Sequence, residues 1–535
     1  MIPSCCINRE RKIMIKNLIS QDAVRFGLSL LDGFSHPYTA GESQDLLHQG
    51  IKERAKNFLS LCEREIFYHP ENPYFLLFHS AGTTLDRLKS LVEDRGLEPA
   101  LSQLAADGIY LDIEEFKGKK PVVRGGLHFS LDNSLLDLAE GPAVPLESSG
   151  SSGRKMKTPI GLDGLRLQAS FLPFLIEASG LADLPVILYY PMPSTPGVVH
   201  MLAFTLAGRP PAAFFSHTPG SLLVRSGVGR KLAALVVAAR LRGVKLPLPQ
   251  FADVRHPKSL VNWLVENCAG GACVATFPGS ALHLIGAARI LKVKLPHLVF
   301  ILGGEPTTKR KRAELEADGH RVIPWFGTVE LGRIAIGCLS PSVSDDMHLL
   351  SDRFAAVKRK SLGGSRAVTI EPFLFTSLSP AAHKLLINVE TGDSGTLESR
   401  RCGCPCDRIG FDTHLHSIES FEKLNMEGMT FDAAALAELV EETLPAACGG
   451  TSADFQFAEE EGEDGLTRLV VSVNPSVEVK EEHLKELVLE ALYATKPTLT
   501  RMTEVIRRAE TIVVRREYPR PTSSGKVNPL RREKN

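Results

Sequence analysis

The chain has 535 residues, 43% of them hydrophobic and 23% charged, with 62 Lys and Arg against 62 Asp and Glu. That is the balance of a soluble globular protein with enough material for several domains rather than one. The even charge gives no electrostatic footprint for nucleic acid or an anionic membrane.

Met1 to Ser20 scatters Arg9, Arg11, Lys12 and Lys16 among apolar residues and lacks the continuous apolar core of a secretory signal. No stretch reaches the roughly 20 apolar residues of a spanning helix. The expected compartment is the cytoplasm, where the ten cysteines serve as thiols or metal ligands rather than disulfides. Apolar residues recur at helical spacing over Leu46 to Phe67 and again over Thr84 to Ala106, so residues 1–110 read as a helical N-terminal region. Pro121 to Gly125 reads as a short strand.

From about residue 140 strands and helices alternate. Val186–Tyr190, Cys273–Thr276 and Leu298–Leu302 read as strands, and Arg230–Leu241, Ser259–Glu266 and Ala281–Leu291 as helices. The last 110 or so residues repeat the alternation on a smaller scale, with strand Leu469–Val473, an amphipathic helix around Leu484 to Leu492, and strand Ile512–Val514. The fold class is α/β: a large, multi-subdomain N-terminal region with mixed sheets, followed by a small α+β C-terminal domain on a hinge.

Five segments carry chemistry. Glu147 to Lys155 has Ser148, Ser149, Ser151 and Ser152 around Gly150 and Gly153, so its backbone N–H groups can wrap phosphates; read alone it is equally a Ser/Gly linker. Gly303-Gly304-Glu305-Pro306 follows a buried strand, where glycines let a flat ligand approach the backbone, or simply turn the chain. Trp325-Phe326-Gly327-Thr328-Val329-Glu330 offers an aromatic for a base and a carboxylate for Mg²⁺. Thr391-Gly392-Asp393 puts a carboxylate on a turn, suited to two ribose hydroxyls. Thr522 to Lys526 ends a polar loop on one ammonium.

In this order and separation, the five segments resemble the adenylate-forming superfamily, and Gly-Gly-Glu-Pro resembles its phenylacetate–CoA ligase branch. Ser417 to Phe431 is similar to the acyl-protein synthetases of bioluminescence operons. The resemblance covers about residues 110–530. It implies an adenylate-forming core over 111–418 and a mobile small domain over 419–535. It further implies that Ser149, Gly150, Ser151, Ser152 and Gly153 hold the β- and γ-phosphates of ATP. Gly303, Gly304, Glu305 and Pro306 would line the adenine pocket with Phe326 and Gly327, Asp393 would bind the ribose and Glu330 would hold Mg²⁺. Lys526 would bridge the reacting carboxylate and the α-phosphate, and the hinge would fall near Glu422-Lys423. The implied partners are a carboxylic acid and coenzyme A or an acyl-accepting protein thiol; a degenerate nucleotide-binding protein is the unlike alternative. Three positions depart from the family pattern: Val329 replaces a Thr, Lys155 replaces a Pro, and an Arg is missing around His416 to Glu419.

Cys402-Gly403-Cys404-Pro405-Cys406 concentrates three thiols in five residues, with Cys338 and His348 upstream. Thiolates with one imidazole suit tetrahedral Zn²⁺. Some phenylacetate–CoA ligase relatives place a Cys, a His and Cys-x-Cys in this order, which implies a structural zinc on Cys338, His348, Cys402 and Cys404. Cys406 is the spare. His414 and His416 alternate as along a strand and could serve as ligands, but solvated loop positions are the commoner fate of such residues. His217 reads more readily as a satisfied core histidine than as part of an acyl pocket.

Overall fold

The computed structural model describes residues 21–139, 141–147, 157–192, 195–220, 227–359, 361–362, 369–420, 423–426, 429–462, 466–494, 511–520 and 529–532. Twelve strands make one large sheet. In chain order they are β1 (Val186–Tyr189), β2 (Ala213–Ser216), β3 (Gln250–Phe251), β4 (Ala272–Thr276), β5 (Leu298–Leu302), β6 (Arg321–Thr328), β7 (Gly332–Gly337), β8 (Met347–Leu349), β9 (Phe354–Lys358), β10 (Pro372–Ser377), β11 (Val389–Ser399) and β12 (Thr413–Ser420). Their spatial order is β9-β10-β11-β12-β8-β7-β6-β5-β4-β1-β2-β3.

The run from β3 to β6 is parallel. From β6 onward every neighbour is antiparallel. The parallel half reads as continuous apolar runs because both of its faces are covered. Along β5, Val299 and Ile301 enter one core, while Leu298, Phe300 and Leu302 enter a second on the opposite face. Two-residue periodicity sends successive side chains to opposite sides. β6 is the seam: it pairs in parallel with β5 and antiparallel with β7.

The N-terminal helices share the larger core, which runs from Phe26 to Leu415. The helical periodicity over Leu46 to Phe67 proves to be broken at Glu53, into helices Ala40–Lys52 and Arg54–Cys62 with a π-turn over Glu63–Phe67. Thr84 to Ala106 is likewise divided at Gly96, whose φ of 84° ends one helix and starts the next. Thr39 caps the second helix with a reciprocal Glu42 hydrogen bond.

The C-terminal sheet has four strands, β13 (Phe455–Glu461), β14 (Thr467–Val473), β15 (Ile512–Arg516) and β16 (Leu530–Arg532), in the order β15-β14-β13-β16. It has its own core, to which helix Glu481–Ala494 contributes Leu484, Val488 and Leu489. No helix among the described residues is long and apolar enough to cross a membrane.

Candidate functional site

Two of the segments singled out in the sequence meet at the seam. Gly303 and Gly304 leave the carboxyl end of β5, Trp325 to Gly327 lie on β6, and Val329-Glu330 form the turn from β6 to β7. Gly304 has φ 82°, and a Cβ there would approach the Phe277 ring to 2.9 Å. At Gly303 a Cβ would overlap the Trp325 indole. The flat group lying on Gly303 is thus a side chain of the protein itself.

Glu305 is nearly fully buried. Its carboxylate accepts the Gly279 N–H at 3.3 Å and lies 3.7 Å from the Lys311 ammonium. Lys311, 1% exposed, also donates to Thr467 Oγ1 on β14 at 2.8 Å, so the Gly-Gly-Glu-Pro segment is connected to the C-terminal sheet through one buried lysine.

Phe326 is half-buried, its ring 6.0 Å from that of Phe375 on β10. The β6–β7 register shifts between Phe326 and Gly327, and Gly327 has no room for a Cβ against the Gly332 carbonyl. Glu330 sits half-buried at the hairpin tip. Beside it, the Val329 carbonyl accepts His383 Nδ1 at 3.3 Å.

Asp393 corrects an expectation: it lies within β11 rather than on a turn, paired across to Ser420. Gly392 before it has φ 85° and accepts the Ser420 hydroxyl at 3.3 Å, which gives the strand a turn-like sequence without breaking it. Near the missing Arg, Ile418 N–H donates to Asp345 at 3.0 Å and His416 Nε2 lies 3.5 Å from Glu398. Ser149, Gly150, Ser151, Ser152 and Gly153, together with Glu422 and Lys526, lie outside the described residues. The strands flanking the first loop do pair, Glu147 opposite Lys157.

The thiol cluster forms beyond β7. Ligand atoms of Cys338, His348, Cys402 and Cys404 all lie within 4.8 Å of one another. Cys338 Sγ is 3.6 Å from Cys402 Sγ, and His348 Nε2 is 3.2 Å from Cys404 Sγ and 3.6 Å from Cys402 Sγ. Tetrahedral zinc with bonds of about 2.0–2.3 Å would set such edges at about 3.5–3.8 Å. His348 Nδ1 is 2.6 Å from the Phe411 carbonyl, which leaves Nε2 facing the thiols and free to ligate a metal. Hydrogen bonds from Cys338 and Cys406 push the Cys404 thiol well below its ordinary range, and the same sharing of protons together with burial pushes Cys338, Cys402 and Cys406 up. Cys406 stands behind Cys404, buried, and supports it. The four side chains can hold one closed, four-coordinate metal.

His414 overturns the loop expectation. It is fully buried on β12, with Nδ1 2.7 Å from Asp346, and Asp346 also takes Arg400 at 2.5 Å. Those hydrogen bonds, working against burial, hold the Asp346 carboxyl below the usual range. His217 is a core histidine, 1% exposed, 3.5 Å from Ser280 Oγ and edge-on to Tyr189.

Sequence reasoning missed one group behind Gly303. Tyr190, His200, Trp325 and Arg333 adjoin in succession: Tyr190 stacks on His200 at 5.2 Å, His200 meets Trp325 edge to face at 5.2 Å, and the Arg333 guanidinium is 5.1 Å from the Trp325 ring. Burial pulls Arg333 down to about 10 and, with the Arg333 charge, holds His200 well below its usual value. The available signal was Arg333 itself, the only charge in the apolar run Gly332–Gly337.

No family model and no curated protein matches the chain. Solved structures are similar at low identity. One is a 2-hydroxyisobutyryl-CoA ligase in complex with 2-HIB-AMP and CoA, at 17% identity and TM-score 0.49, covering 90% of this chain and 90% of that chain. A second is o-succinylbenzoate CoA synthetase from Bacillus subtilis, at 11% identity and TM-score 0.40, covering 72% and 68%. A third is ATP-bound MatB from Rhodopseudomonas palustris, at 13% identity and TM-score 0.33, covering 75% and 68%.

Proposed function

We propose that the chain is an AMP-forming acid–thiol ligase: it activates a carboxylic acid with ATP as an acyl-adenylate and passes the acyl group to a thiol, coenzyme A first among the candidates. The observation that carries this reading is the seam. Gly303-Gly304, Phe326 and the Glu330 turn converge at the carboxyl ends of β5 and β6, and ligands of open α/β sheets bind outside the carboxyl ends of the strands.

In this reading the adenine lies between the Gly304–Pro306 backbone and Phe326, and Asp393 accepts the ribose hydroxyls. Ser149 to Gly153 hold the terminal phosphates. Mg²⁺ on Glu330 supplies charge neutralisation at the phosphates when bound. Lys526 donates to the carboxylate and α-phosphate as they approach, an electrostatic contribution that needs no proton transfer. Residues 419–535 then turn about Glu422-Lys423 relative to 111–418 and admit the thiol. Zinc on Cys338, His348, Cys402 and Cys404 is structural. The second reading, transfer to a protein thiol, draws on the run Ser417 to Phe431. The compartment is the cytoplasm.

ATP–pyrophosphate exchange against a panel of carboxylic acids tests the first half-reaction; no acid-dependent exchange rejects it. Product analysis with coenzyme A or a carrier protein then decides the acceptor. Lys526→Ala should slow adenylation by roughly 10²-fold and spare thioester formation from presynthesised adenylate. Equal loss of both steps would remove Lys526 from its assigned role.

A further inference from the structure

The four residues behind Gly303 have an arrangement the adenylation reading does not use. Arg333 is 4% exposed, yet among the described residues its guanidinium has neither a carboxylate nor a hydrogen-bond acceptor. Its contacts are the faces of Phe171 at 4.9 Å and Trp325 at 5.1 Å. Two other inward-facing arginines are paired with carboxylates: Arg353 is 2.7 Å from Asp352 and Arg124 is 2.7 Å from Glu115. An unpaired buried cation is among the costlier things a fold can hold. Burial disfavours its charge most, Tyr190 favours it, and Arg353 repels it.

Its neighbours are equally unsatisfied. Tyr190 Oη, His200 Nδ1, Trp325 Nε1 and Arg333 Nε are all buried atoms without a hydrogen-bond partner. Trp325 Nε1 leans toward the Tyr190 hydroxyl without reaching hydrogen-bond geometry. Tyr190 and His200 are 0% and 5% exposed. Tyrosine, indole and guanidinium are donors, and the imidazole donates from Nδ1 in one tautomer. A carboxylate has two oxygens and about four lone-pair sites, which matches four donors.

We propose that Tyr190, His200, Trp325 and Arg333 form a subsite for a second carboxylate at the far end of the acid substrate, so that the acid is a dicarboxylic acid. This rests on the adenylation reading for the first carboxylate. The subsite lies directly behind Gly303, where the Trp325 indole covers the glycine. Trp325 is the half-buried member of the group; its indole turns to admit the ligand, while the other three stay fixed by burial. Charge explains the preference: a neutral chain end leaves the guanidinium unpaired, and a carboxylate neutralises it.

The test uses the full chain and matched pairs of acids, each dicarboxylic acid beside the monocarboxylic acid of equal length. Exchange should favour the dicarboxylic member by roughly 10- to 100-fold in kcat/KM, the discrimination of a site built for a polar group. Arg333→Met should reduce that ratio at least tenfold, and Arg333→Lys should restore part of it. Calorimetry with the dicarboxylic acid, the monocarboxylic acid and inorganic phosphate provides a readout independent of turnover, with circular dichroism confirming that both variants fold. Exchange with monocarboxylic acids at equal or higher efficiency, or a ratio unmoved by Arg333→Met, overturns the subsite and leaves the ligase reading intact. Arg333-dependent binding of the dicarboxylic acid without any exchange supports the subsite and rejects the ligase. Phosphate binding as tightly as the dicarboxylic acid, with the same Arg333 dependence, identifies a simple anion site and overturns the proposal.

Discussion

His348 and His414 are directly paired across adjacent antiparallel strands, their rings 4.1 Å apart, yet they face different partners. His348 turns Nε2 to the thiols and Nδ1 to the Phe411 carbonyl, whereas His414 turns Nδ1 to Asp346. Position on the strand does not tell which of the two histidines faces the thiols. The second hydrogen bond does, by fixing which nitrogen points where.

That division leads to the first prediction. Protein purified without an affinity tag should carry about one equivalent of zinc, since closed thiolate sites retain their metal. The Cys402→Ser, Cys404→Ser double variant should lose the metal and a measurable part of its thermal stability. Elemental analysis with thermal denaturation decides the matter; metal-free protein of undiminished stability would reject the site.

Gly303→Ala should destabilise the protein by about 1–3 kcal/mol, the usual cost of forcing a methyl into packed space. The new methyl would overlap the Trp325 indole. Trp325→Leu in the same background should recover much of the loss. Urea denaturation of both singles and the double should return a coupling of at least about 0.5 kcal/mol; additive effects would mean that the contact is not what the glycine serves.

Asp393→Ala should weaken ATP binding by about 1.5–3 kcal/mol, the range for hydrogen bonds to a charged group, with the melting temperature close to the parent's. Isothermal calorimetry reads the first and thermal denaturation the second. Unchanged ATP affinity would move the ribose elsewhere.

His383 sets a pH dependence. Burial, helped by the Lys384 charge and opposed by the hydrogen bond to Val329, pulls it from 6.5 to about 4. Between those values the unfolded chain binds the proton and the folded chain does not, so stability is full above about pH 6.5 and declines as pH falls toward 4. The contribution is about 3 kcal/mol at most. His383→Gln should flatten the stability–pH curve over that window, leaving the slope that His200 contributes. An unaltered curve would show His383 to be uncoupled from folding.

The parts of the fold legible in the sequence were those governed by local periodicity. Val299 and Ile301 alternate with Phe300 and Leu302 between two cores, so the strand reads as unbroken apolar sequence. The Cys338, His348, Cys402 and Cys404 set was legible because ligand chemistry restricts residue types. Long-range pairing left less trace. Asp393 follows Thr-Gly and looks like a turn, but strand pairing with β12 overrides the glycine. His414 looked solvated because its partner, Asp346, lies 68 residues away. The buried group around Arg333 draws on β6, β7, the residue after β1 and helix Thr195–Leu206, which only the folded chain brings together.

The indole over Gly303 also gives the protein an optical property. The chain has two tryptophans; the other, Trp263, stands on helix Lys258–Asn267 with its ring 5.9 Å from Phe215. Replacing Trp263 with Phe leaves a single tryptophan, placed between an imidazole and a guanidinium. Any molecule that turns that ring changes its surroundings, so occupancy at the seam becomes readable as intrinsic fluorescence, with no label and no turnover.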